Sequence, residues 1–110
     1  NLAIWHEEPV LERVALLGRR QAERLERIVA HPAVGGARQL GTIAAFKIAA
    51  PTSGYLSAIA PRVMALCRER GVLLRPLGNT VYVMPPYCIG QTDIDFMVDA
   101  ALGAVDAATA

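Results

Sequence analysis

The segment Leu73 to Tyr87, LLRPLGNTVYVMPPY, leaves the chain few ways to fold locally. Pro76-Leu77-Gly78-Asn79 separates two short apolar runs, the signal of a β-hairpin. Pairing Arg75 with Thr80 sets Leu74 against Val81, Val72 against Val83 and Leu73 against Tyr82. Strand side chains alternate between faces. One face then carries Val72, Leu74, Val81 and Val83, and the other carries Arg75, Thr80 and Tyr82. Arg75 and Tyr82 become diagonal cross-strand neighbours, roughly 7–8 Å apart at the backbone. A planar guanidinium beside a phenol suits a carboxylate-bearing ligand; the plainer alternative is a surface arginine beside a strand tyrosine. Met84-Pro85-Pro86-Tyr87 either ends the strand and leads to the next helix or forms a rigid wall beside a ligand.

The remaining chain supplies layers to cover one face of that ribbon. Pro9 to Ala30 has helical spacing, with Val10, Val14, Leu17, Gln21, Leu25 and Ile28 on one stripe, widened by Leu11, Ala22 and Val29. Arg13, Arg20, Glu23, Arg24 and Arg27 fall on the remaining, solvated surface, and His31-Pro32 ends the helix. Val34-Gly35-Gly36 is expected to turn. Ala37 to Leu40 and Thr42 to Ile48 are expected to be extended, with a break at Gly41. Ala44, Phe46 and Ile48 share a face there, and Lys47 points the other way. Ala49 to Gly54 is expected to be a loop. A helix from Pro61 to Arg70, with a short helical turn before it, buries Val63, Leu66 and Cys67 and stops at Gly71. Thr92 is placed as the cap of a last helix striped by Ile94, Val98, Ala101, Leu102 and Val105, with a fraying Ala-rich tail. The order predicts an α+β fold: a small, mostly antiparallel sheet with helices packed on one face, as a single domain over residues 1–110.

Composition excludes several function classes. Hydrophobic residues make up 54% of 110 residues, and mean hydropathy is +0.34, too apolar for disorder. So apolar a small domain is expected to bury surface against another domain or subunit. A net charge of +1 gives no drive toward nucleic acid or an anionic membrane. No apolar run approaches the ~20 residues of a membrane span. NLAIWHEEPV has no basic-then-apolar secretory pattern and no initiator Met, so it is expected to be cut from a longer chain. Cys67 and Cys88 lack metal spacing and fit a reduced cytoplasmic protein. His6 and His31 have no partner at metal spacing, and no nucleophile–base arrangement is present, so no catalytic and no metal-binding residue is assigned.

HPAVGGARQLGTIAAFKI, followed by RERGVLLRPLGNTVYVMPPYCI, resembles the C-terminal small domain of the class III aminotransferases, from about Pro9 to Val105. Arg-Pro-Leu-Gly, then Val81-Tyr82-Val83-Met84, then Pro85-Pro86-Tyr87 is most similar to the branch that aminates 8-amino-7-oxononanoate in biotin synthesis. Many other members of the class follow Pro-Pro with an aliphatic residue. The resemblance implies a fold type I enzyme that uses pyridoxal phosphate, in a cytoplasmic homodimer. It implies that Arg75 holds the substrate carboxylate and that Tyr82 lies close to that arginine. S-adenosylmethionine is the usual amino donor and lysine the less common one. The large domain that holds the cofactor is then the chief partner. Lys47, the sole lysine, lies outside any family cofactor-lysine motif, so no cofactor-binding residue is assigned and the chain alone is expected to be inactive. Competing expectations are another class III transaminase acting on an ω-amino acid, a free-standing module that binds a small acid, and a structural domain.

Overall fold

The computed structural model describes residues 1–49 and 58–110. The expected loop at Ala49 to Gly54 and the helical turn before Pro61 fall largely at residues 50–57, outside the described residues. The elements are α1 (Leu2–Glu7), α2 (Val10–Val29), β1 (Val34–Leu40), β2 (Ile43–Ile48), α3 (Ile59–Glu69), β3 (Thr80–Val83) and α4 (Gln91–Thr109). The three strands form an antiparallel sheet in chain order, β1-β2-β3. No helix among the described residues is long and apolar enough to cross a membrane.

One face of the sheet is covered, as its alternation requires. Ala44, Phe46, Ile48, Val81 and Val83 are buried, while Lys47 on the opposite face is exposed. Phe46 is the largest fully buried side chain, and its burial contributes about 1.5–3 kcal/mol. Val63 and Cys67 of α3 and Val98, Ala101 and Val105 of α4 close the core from the helical side. The alanines at 100, 101, 104 and 108 are all buried. That packing keeps α4 regular to Thr109, so the Ala-rich tail does not fray as expected. Leu2–Glu7, ahead of the first expected helix, forms α1.

Turn chemistry sets the register. The β1–β2 connection is a two-residue loop, Gly41-Thr42, between the paired Leu40 and Ile43. Gly41 has φ +57 and no non-glycine residue among those described has positive φ, which is the glycine-first turn that suits a twisted hairpin. Val34 to Gly36, expected to turn, belongs to β1 instead; the surplus residue is absorbed as a bulge between Gly35 and Arg38. At α4 the cap is Gly90, with Ile94 N–H donating to the Gly90 carbonyl at 3.1 Å. Thr92 therefore sits inside the first turn rather than capping it.

The stripe of α2 is rotated relative to expectation. Val10, Leu17, Gln21 and Ile28 are buried, but Leu11 and Val29 face solvent and Arg24 is buried. Gln21 Nε2 donates to the carbonyls of Thr42 at 2.9 Å and Val83 at 3.3 Å. One side chain thereby caps two neighbouring strand ends. At the helix end, His31 Nδ1 accepts from Ala33 N–H at 3.1 Å, which leaves Nε2 to donate to Asp106 at 2.7 Å.

Candidate functional site: a groove at Arg75 and Tyr82

α3 ends where Gly71 takes φ +79, and Val72 N–H returns to the Cys67 carbonyl at 2.9 Å. Only glycine adopts that conformation freely. The chain then runs extended from Val72 to Arg75. Val72 and Leu74 are buried, while Leu73 and Arg75 are exposed. The predicted facial division therefore holds on both sides of the turn.

The predicted pairing does not. Leu77, not Arg75, pairs with Thr80, through Leu77 N–H to the Thr80 carbonyl at 2.8 Å and the reverse bond at 2.9 Å. The loop is Gly78-Asn79, with Gly78 at φ +60. Residues 72–76 form no strand, so the expected two-strand ribbon reduces to a single bridge. Pro76 sits next to the bridge, where an N–H would point away from β3, so its ring removes no bond of this ladder, and it keeps Arg75 before it extended. β3 finds its partner in β2 instead, with Ala45 opposite Tyr82 and Lys47 opposite Thr80. Counted from the Leu77–Thr80 bridge, Arg75 falls level with Tyr82 rather than diagonal to it.

Arg75 and Tyr82 line one groove of about 180 Å³ with Leu73, Leu74, Met84 and Met97. Two polar groups thus meet four aliphatic or thioether walls. Neither the Arg75 nor the Tyr82 side chain has a hydrogen-bond or ion-pair partner among the described residues. An unpaired guanidinium at an apolar groove favours an anion carried on an alkyl chain. Thr80, the third candidate on this face, is not in the lining. Met84 does line the groove, but Pro85, Pro86 and Tyr87 do not; β3 ends at Val83 just before them and α4 follows, as the strand-ending alternative for this step expects. Met97 went unforeseen because its wall comes from α4, a contact that helical spacing alone does not define.

Lys47 lies in a different groove of about 320 Å³, with Val34, Gly35, Gly36, Ile48, Ala49 and Asn79. Its stem lies over Gly36. No residue is common to the two linings. Of the two cysteines, Cys88 is exposed and Cys67 is fully buried. Burial pushes the Cys67 thiol up, opposed in part by Arg70. A thiol held protonated in a core is no nucleophile.

Tyr87 stands outside the groove. Its hydroxyl donates to Glu8 Oε2 at 3.0 Å, and the same oxygen accepts from Arg13 at 2.6 Å. The bond to Glu8 raises the Tyr87 phenol above its ordinary value, with desolvation adding to it.

The family model described as Aminotransferase class-III matches residues 1–105. An adenosylmethionine-8-amino-7-oxononanoate aminotransferase of Synechococcus elongatus is 40% identical over 82 residues, which takes in 74% of this chain and 19% of that protein. A putrescine–pyruvate aminotransferase of Pseudomonas aeruginosa is 30% identical over 111 residues, covering 96% of this chain and 24% of that one. A solved transaminase with L-alanine superposes with a TM-score of 0.85 at 28% identity, over 98% of this chain and 27% of its own. The chain thus spans about a fifth to a quarter of the length of these relatives. Matched along nearly all its residues by the family model, and sharing the fold of a solved transaminase, the chain belongs to the class III aminotransferase family.

Proposed function

We propose that this chain is the C-terminal small domain of a pyridoxal-phosphate-dependent transaminase of biotin synthesis. The parent enzyme would convert 8-amino-7-oxononanoate to 7,8-diaminononanoate, with S-adenosylmethionine as amino donor. Arg75 grips the substrate carboxylate, and Tyr82 lies beside it. The observation that carries this is the Arg75–Tyr82 groove: one unpaired cation, one phenol and otherwise apolar walls. A nonanoate presents that chemistry, a carboxylate on a methylene chain. Relatives from Synechococcus elongatus, Aquifex aeolicus and Geobacter sulfurreducens that carry the oxononanoate aminotransferase name support the choice of substrate.

Pyridoxal phosphate, when bound, supplies the carrier for the amino group. The residues present do not fit a covalent seat for it. Lys47 is exposed on the sheet, in a groove lined by glycines, aliphatic groups and Asn79 that shares no residue with the Arg75 groove. The cofactor is therefore assigned to the large domain of the parent, and this chain to the acid end of the substrate. Exposed Leu73, Leu77, Met84 and Phe96 suit burial against that domain, and a cytoplasmic homodimer is the assembly proposed for the parent.

A second reading, amination by or of ω-amino compounds, is favoured by the putrescine–pyruvate relative and by the solved ω-transaminases of similar fold. Donor and acceptor assays on the parent enzyme separate the two. Turnover of 8-amino-7-oxononanoate with S-adenosylmethionine, or with lysine as donor, supports the biotin-pathway role. Turnover of pyruvate with putrescine or 4-aminobutyrate, and none of the oxononanoate, contradicts it.

A further inference from the structure

Residues 84–90 connect β3 to α4, and so join two walls of the Arg75–Tyr82 groove. Met84, at the start of the connector, lines the groove from the strand side, and Met97 lines it from α4. Pro85 and Pro86 each lock φ near −65°, so the first half of the connector is stiff. Pro85 is buried, and Ile89 N–H closes a turn onto the Pro86 carbonyl at 3.1 Å. Between these points stands Tyr87, bonded at 3.0 Å to Glu8 Oε2. Arg13 holds that same oxygen at 2.6 Å, so the acceptor is charged and itself fixed. A hydroxyl donating to a carboxylate makes a strong bond of its kind. A phenol of ordinary value already keeps its proton at neutral pH, and the bond to Glu8 raises this one further, so Tyr87 stands as the donor.

We propose that Tyr87, through the Glu8–Arg13 pair, is a positioning residue for the carboxylate grip. It fixes the spacing of the Met84 and Met97 walls, and with it where an aliphatic acid lies relative to Arg75. This rests on the assignment of the groove to the acid end of the substrate. Tyr87 is not in the groove lining and does not touch the acid in this account. Its effect reaches the groove through two residues of locked backbone.

The test uses the full-length parent enzyme and steady-state kinetics. Tyr87→Phe keeps the ring and removes only the donor. It should raise KM for 8-amino-7-oxononanoate about three- to tenfold, while kcat and the KM of the amino donor stay within about twofold. Glu8→Ala, which cuts the same bond from the other end, should reproduce that split. Glu8→Gln keeps an acceptor oxygen and should be milder. In an Arg75→Ala background, Tyr87→Phe should add almost nothing, since its effect acts through the grip. An unchanged KM in Tyr87→Phe and Glu8→Ala, or a full independent increment on Arg75→Ala, overturns the inference. If Arg75→Ala raises KM and Tyr87→Phe does not, only the positioning role fails. If Arg75→Ala itself leaves KM unchanged, the assignment of the groove fails and takes this inference with it.

Discussion

Arg24 on α2 donates from Nε to Asp95 Oδ1 on α4 across 2.8 Å, with only 7% of the arginine side chain exposed. Further along, Arg27 meets Asp99 at 2.5 Å and His31 meets Asp106 at 2.7 Å. The partners ascend together, so α2 and the turn that follows it are joined to α4 at three points. Arg24 is the buried guanidinium of the set, while Arg27 is half exposed. A buried guanidinium that loses its carboxylate keeps the cost of its desolvation.

Asp95→Ala should therefore destabilise the chain by about 1–3 kcal/mol, discounted because Asp95 is itself partly exposed and Glu23 remains near Arg24. Asp99→Ala, at an exposed pair, should stay within about 0.5 kcal/mol. Urea unfolding of the two variants checks this. Equal losses would show that burial of Arg24 does not matter.

Gly78 carries the turn between the Arg75 segment and β3 at φ +60. Gly78→Ala should cost about 1–2 kcal/mol, because a Cβ is strained in that conformation. Gly35→Ala is the control: a Cβ there meets nothing within 4 Å, and the change should be neutral within about 0.5 kcal/mol. Thermal melts of both variants give the comparison.

Cys67 and Tyr87 both ionise above their ordinary values in the folded chain. In such a case the unfolded chain loses its proton first as pH rises. The stability these groups contribute is thus complete at neutral pH and declines as pH passes about 9, the ordinary value of the thiol. Unfolding midpoints measured from neutral pH upward should fall on the alkaline side, and less steeply in Cys67→Ala. A thiol reagent should modify Cys88 in the folded state and reach Cys67 only on unfolding. Prompt modification of both would contradict the burial of Cys67.

Alternation and turn chemistry made much of this fold legible. Ala44, Phe46 and Ile48 are buried together because a strand has period two, and α3 and α4 present the expected stripes. Arg75 and Tyr82 share a groove because they share the open face. What was misjudged depends on partners far along the chain. Arg24 looked solvated because its carboxylate lies on α4, and Gln21 gives no local sign that it will cap the ends of two strands. The pairing at Arg75 was misplaced by two residues because the turn closes on Leu77 and Thr80 around Gly78-Asn79, and β2, rather than the segment before the turn, supplies the partner of β3. Met97 and the Tyr87–Glu8 bond likewise required the three-dimensional path of the chain.

If Arg75 holds the acid end of the substrate, KM in the parent enzyme depends on it. Arg75→Ala should weaken the grip by about 1.5–3 kcal/mol, roughly a tenfold to hundredfold rise in KM for 8-amino-7-oxononanoate. The KM of the amino donor should hardly move, and Arg75→Lys should recover only part of the loss, since an ammonium lacks the paired donors of a guanidinium. An Arg75→Ala enzyme whose KM for the oxononanoate matches the parent would show that Arg75 does not hold the acid end.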